Sequence, residues 1–180
     1  MGMKNLKQLI HNALFFVAYL PLTSFLTTYR ITGSWSTAFG VGGAVAVISL
    51  MVNVLRGVLF ERFLLAANIF LIGGGLGVLG MYFDCDCLMN AYRLGMQSTL
   101  LVALLLVGLV TTFATKAGFL GVATGPRAQV RLYSLYLLGA TVIGTCWSIY
   151  FTQHGGGVLA GFVPFVALKV LARLLVKKLK

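Results

Sequence analysis

From Trp35 to Leu55 the chain runs WSTAFGVGGAVAVISLMVNVL without a charged side chain. Such a run restricts the fold severely, because about 20 apolar residues in an α-helix, rising about 1.5 Å each, span the roughly 30 Å of bilayer hydrocarbon. Five further apolar runs accompany it, at Ala13 to Tyr29, Phe63 to Phe83, Leu94 to Thr115, Leu132 to Thr152 and Val158 to Val176. The last of these carries Lys169 and Arg173; the others are free of charge. Of the 180 residues, 59% are hydrophobic and 9% charged, and the mean hydropathy is +0.98. A water-soluble domain of this size needs more polar surface than that composition supplies. The expectation is an all-α polytopic membrane protein: one integral membrane domain over residues 1–180, built as a compact bundle of six transmembrane helices. Short connections make successive helices antiparallel neighbours.

The opening MGMKNLKQLIHN resembles the charged start of a secretory signal. No small-residue cleavage site follows it, so an uncleaved first helix is expected. Leu6 stands where a myristoylation pattern requires Ser or Thr.

The fourteen Lys and Arg residues give the orientation, because cations near helix ends are retained in the cytoplasm. Lys4, Lys7, Arg56, Arg62, Lys116, Arg127, Arg131, Lys169, Arg173, Lys177, Lys178 and Lys180 fall in one set of loops and tails, and only Arg30 and Arg93 in the other. Both termini are therefore expected in the cytoplasm. The net charge of +11 becomes a belt at the headgroups, with anionic lipid as its partner and no role in nucleic-acid binding. The residues Lys169, Arg173 and Lys177 share one face of the last helix and reach toward that interface. Lys169 lies deepest, and its alternative is to turn inward toward Glu61.

Helices associate in lipid through close backbone approach and interhelical hydrogen bonds, so small residues four apart mark contact faces. Gly42, with Ala38 and Ala46, marks one; Gly73 and Gly77 mark a second; Gly144, with Ala140 and Ser148, marks a third. The G-x-G-x-x-G string at Gly75, Gly77 and Gly80 lacks the strand before it that a dinucleotide site requires. Asn53, Asn68 and Gln97 need protein partners, because an unsatisfied amide in hydrocarbon costs several kcal/mol. Two readings stand for them: links between helices, or, together with Lys169, a polar pathway for a solute. Pro21 and Pro164 each remove a backbone donor and are expected to bend the first and sixth helices.

The stretch YFDCDCLMN, Tyr82 to Asn90, holds two of the three acidic residues and two of the three cysteines. The orientation puts it on the outer face with His154 and the outward end of the fifth helix, which carries Cys146. Three readings stand: a solvated loop, a disulfide among Cys85, Cys87 and Cys146, or a metal site of Cys85, Cys87 and His154. The C-x-C spacing is cramped for a metal chelate, where C-x-x-C or longer is usual. Catalysis has little to work with. The two histidines, His11 and His154, fall on opposite faces, and general acid and base partners must lie within hydrogen-bond reach. An enzyme is not expected, nor is a cofactor.

The order of several segments resembles the intracellular septation protein A family of six-helix bacterial inner-membrane proteins. The similarity lies in LPLTSFLTTYRITGSWSTA (Leu20 to Ala38), FERFLL (Phe60 to Leu65), the glycine-rich centre of the third helix, and FVPFVALKVL (Phe162 to Leu171). The chain departs from the family at DCDCLMNAYR, where a Lys-Trp-Lys-like segment is usual, and in LYLLGATVIGTCWSIYF, which lacks the expected asparagine. The resemblance implies a bacterial inner-membrane protein that serves envelope growth and cell division through other membrane proteins, without catalytic residues. The alternative is a small-molecule or ion transporter, whose site lies between the glycine-rich third helix and its neighbours.

Overall fold

A computed structural model describes residues 19–55, 61–84, 87–121, 125–155 and 159–179. Among them the chain is all-helical, with six helices: α1 (19–32), α2 (Trp35–Leu55), α3 (Arg62–Met81), α4 (Cys87–Ala114), α5 (Arg127–Gln153) and α6 (Leu159–Lys178). By length and composition α2, α3 and α5 can each cross a membrane, and Ser98–Ala114 within α4 is a shorter apolar helix. The helices α4 and α5 begin before the apolar runs expected from sequence. A charge-free run marks what suits hydrocarbon, whereas backbone hydrogen bonding continues through polar residues such as Asn90, Arg127 and Gln129.

The junctions follow local chemistry. At the end of α1, Gly33 adopts φ +64° and donates its N–H to the Tyr29 carbonyl at 2.8 Å, a left-handed helix stop that glycine makes without steric cost. Ser34 follows as the cap of α2, its hydroxyl accepting the Thr37 N–H at 3.3 Å. Two residues thus reverse the chain. The end of α5 repeats the device, with His154 capping and Gly155 at φ +79°. Asp84, at φ 56°, is the one left-handed residue other than glycine among those described, and aspartate tolerates that region better than most.

The residues group into two compact units, with α3 and α4 each contributing to both. One comprises α1, α2, the part of α3 from Asn68 onward, the turn that follows and the start of α4 as far as Asn90. Here α2 and α3 meet backbone to backbone: a Cβ on Gly43 would stand 2.9 Å from the Leu71 carbonyl oxygen and 3.2 Å from the Gly75 Cα. A Cβ on Gly42 would stand 2.8 Å from that of Phe25, and the Phe39 ring occupies the space where Gly74 lacks a side chain. Phe25, Phe39 and Phe70 continue as a chain of rings with centroids 4.9 and 5.5 Å apart. Sequence spacing singled out Gly73 and Gly77; the approaches to Phe39 and Gly43 are made by Gly74 and Gly75.

The second unit comprises Glu61–Ala67, the part of α4 from Ala91 onward, α5 and α6. Its core is Phe63, Ala66, Leu101, Leu104, Val107, Phe119, Leu137, Leu168 and Leu175. Phe119 lies in the α4–α5 connection and folds back over Gly108, where a Cβ would stand 2.6 Å from the ring. Gly144 on α5 faces Pro164 and Leu168 on α6. The helix α4 is interrupted at Gly95 (φ −155°, ψ 45°), whose carbonyl accepts the Thr99 hydroxyl at 2.6 Å.

Candidate functional site

Asn53 is buried and donates its side-chain amide to the Ser49 carbonyl, 2.7 Å away in its own helix. Thr111, Thr112, Thr141 and Thr145 likewise return their hydroxyls to carbonyls four residues back, at 2.6 to 2.8 Å. These groups are satisfied within single helices. Asn68 is different: it is buried, and its Nδ2 has no hydrogen-bond partner among the described residues. The Gln97 side chain lies outside the described part of the structure.

Of the expected metal and disulfide residues, Cys85 lies outside the described residues, and of Cys87 only the backbone, as the first residue of α4, lies within them. Cys146 is an exposed free thiol on α5. His154 is exposed, stacks on Tyr150 with ring centroids 4.3 Å apart, and places Nδ1 2.7 Å from the Tyr150 carbonyl oxygen. Among the described residues no group of three metal-ligating side chains converges.

Chemistry does converge at the other end of the second unit. The start of α3, Leu120 of the α4–α5 connection and the last turns of α6 enclose a cleft of about 260 Å³. Its cations are Arg62, Lys169, Arg173 and Lys177, and its only carboxylate is Glu61 at the lip. The apolar walls are Phe63, Leu120, Ala172 and Val176. The spacing of Lys169, Arg173 and Lys177 puts all three on one face of α6, and that face lines the cleft. Lys169 is half-buried, while Arg173, Lys177 and Glu61 are exposed.

Arg62 is the member that sequence reasoning did not single out. Read as a loop cation beside Glu61, it is instead the first residue of α3 and only 9% exposed. Its stem passes 3.7 Å from where a Cβ on Gly121 would stand. Its Nη2 donates to the Thr115 hydroxyl at a long 3.5 Å, and its buried Nε has no partner among the described residues. A guanidinium carries five N–H donors and stays charged, so one long hydrogen bond leaves it well short of satisfied. The signal available in sequence was a cation set directly between Glu61 and the apolar FLLAANIFL run.

A smaller cleft of about 240 Å³ lies between α4 and α5, beside the break at Gly95. Ser98, Thr99 and Thr152 line it, with the Ser98 hydroxyl 3.2 Å from that of Ser148 and 3.5 Å from that of Thr152. Hydroxyl pairs can exchange donor and acceptor roles, but none of them is an acid, a base or an activated nucleophile. Neither cleft holds a general-base and nucleophile pair. Compared with known proteins, the chain matches no family model, no curated protein and no solved structure.

Proposed function

We propose that this chain is a multi-pass protein of a bacterial inner membrane, with both termini cytoplasmic, which acts in envelope maintenance or division by contacting other membrane proteins. The carrying observation is the inverted polarity of its helices. On α5 the buried stripe includes Ser134, Thr141, Gly144, Thr145 and Ser148, whereas Tyr136, Ile143, Trp147 and Tyr150 face outward, Ile143 being 72% exposed. On α2 the buried side includes Gly42, Gly43, Ser49 and Asn53, and Ile48, Met51, Val54 and Leu55 are exposed. Water penalises that arrangement, and hydrocarbon favours it. The cation asymmetry supports the orientation, and the resemblance to the septation protein A family supports the envelope role.

Membrane residence and orientation are tested by alkaline extraction of membranes and by C-terminal fusions to a phosphatase active only outside the cytoplasm and a fluorescent protein active only inside. The chain should stay in the pellet, and the fluorescent fusion alone should be active. Crosslinking in intact membranes, followed by identification of the captured membrane proteins, tests the role; capture of nothing but lipid would remove it. The break at Gly95 favours a second reading, a small-solute transporter, because interrupted helices with polar groups at the break build transport sites. Solute flux in vesicles that Ser98→Ala abolishes would select it.

A further inference from the structure

We propose that the cleft between the start of α3 and the end of α6 binds a phosphate group, with Arg62 as its inner donor and Lys169, Arg173 and Lys177 as its neutralising rim. This proposal rests on the reading of the basic end as the headgroup side of the protein. Four cations share about 260 Å³ with a single carboxylate. Glu61 forms no ion pair with any of them. That excess of positive charge favours an anion over a neutral ligand, and a phosphate can offer two oxygens to a guanidinium in parallel hydrogen bonds.

The burial of Arg62 is the stronger argument. A guanidinium on the surface loses nothing by lacking a protein acceptor, because water supplies one, but the Nε of Arg62 is shielded from solvent and unpartnered among the described residues. A buried donor without an acceptor loses its hydration and gains nothing in return. The terminal nitrogens of the same guanidinium are not shielded in this way, and since Arg62 lines the cleft they are the donors that an anion there meets. The same anion meets the start of α3, where the N–H of Leu65 makes the first helical bond, to the Glu61 carbonyl at 2.9 Å. The N–H groups of Arg62, Phe63 and Leu64 precede that bond and have no acceptor within the helix. The start of a helix attracts oxyanions. Phe63, Leu120 and Val176 complete the cleft with apolar surface that suits the acyl-bearing side of a phospholipid.

The test uses the purified full-length protein in an uncharged detergent. It is titrated with short-chain phosphatidylglycerol, phosphatidylcholine of the same chain length, and inorganic phosphate, with bound ligand read by native mass spectrometry. Saturable phosphatidylglycerol binding is expected, and Arg62→Gln should weaken it about tenfold or more, as loss of a charge-assisted hydrogen bond predicts. The double variant Lys169→Gln/Arg173→Gln should weaken it by a similar factor, and carries the test if Arg62→Gln does not fold. Lys178→Gln, outside the cleft, should leave binding unchanged. Inorganic phosphate that displaces the lipid would identify free phosphate as the ligand, and phosphate that does not would identify the headgroup; either result supports the site. Equal weakening by Lys178→Gln and by the double variant, or the absence of saturation, would overturn it. Because the titration is done in detergent, failure of the membrane reading would show in the extraction experiment and not here.

Discussion

The Ser134 hydroxyl accepts the backbone N–H of Phe119 at 3.1 Å, and both residues are fully or almost fully buried. This bond ties the α4–α5 connection to the flank of α5 and holds the Phe119 ring over Gly108. Ser134→Ala leaves a buried donor without an acceptor and should destabilise the fold by about 1–3 kcal/mol. Unfolding in mild detergent, with Ser148→Ala for comparison, measures it.

Phe39 and Gly74 fit each other so closely that a single methyl disturbs them. Gly74→Ala should cost about 1–3 kcal/mol through overpacking. Gly40→Ala and Gly139→Ala, where a Cβ meets nothing within 4 Å, should be neutral or stabilising. A Phe39→Leu replacement should recover part of the Gly74→Ala loss, and a double-mutant cycle reads the coupling.

Asn68 keeps its amide donor buried without a described partner, so apolar replacement removes a burden. Asn68→Leu, close in volume, should be neutral or raise the midpoint of thermal unfolding. A fall of several degrees would assign the amide a structural partner.

Cys146 lies seven residues before the end of α5, which puts it about 10 Å inside the helix end. In a Cys85→Ser/Cys87→Ser background, a charged, impermeant thiol reagent should leave intact membranes unlabelled and label the detergent-solubilised protein. Rapid labelling in intact membranes would place this part of α5 in water.

The helices were legible because each apolar run is long, and the α1–α2 reversal because Gly33 and Ser34 are the residues that such a turn demands. Other features depend on partners distant in sequence. Small-residue spacing marks α3 as a contact helix, and that Gly74 and Gly75 are the glycines facing Phe39 and Gly43 depends on where α2 rests. Arg62 reads as a loop cation until the chain near Thr115 and Gly121 folds against it. Lys169, Arg173 and Lys177 were legible as one face of α6, and what that face encloses was not. Of the three amides read as interhelical links or a polar pathway, Asn53 bonds to Ser49 of its own helix, because a carbonyl one turn back lies within reach of its side chain.

The two-residue reversal at Gly33 and Ser34 also bears on biogenesis. On the membrane reading proposed above, a tether of that length keeps α1 and α2 side by side during insertion. A lesion that delays α2 would then also strand α1, and quality control would meet the two as one defect.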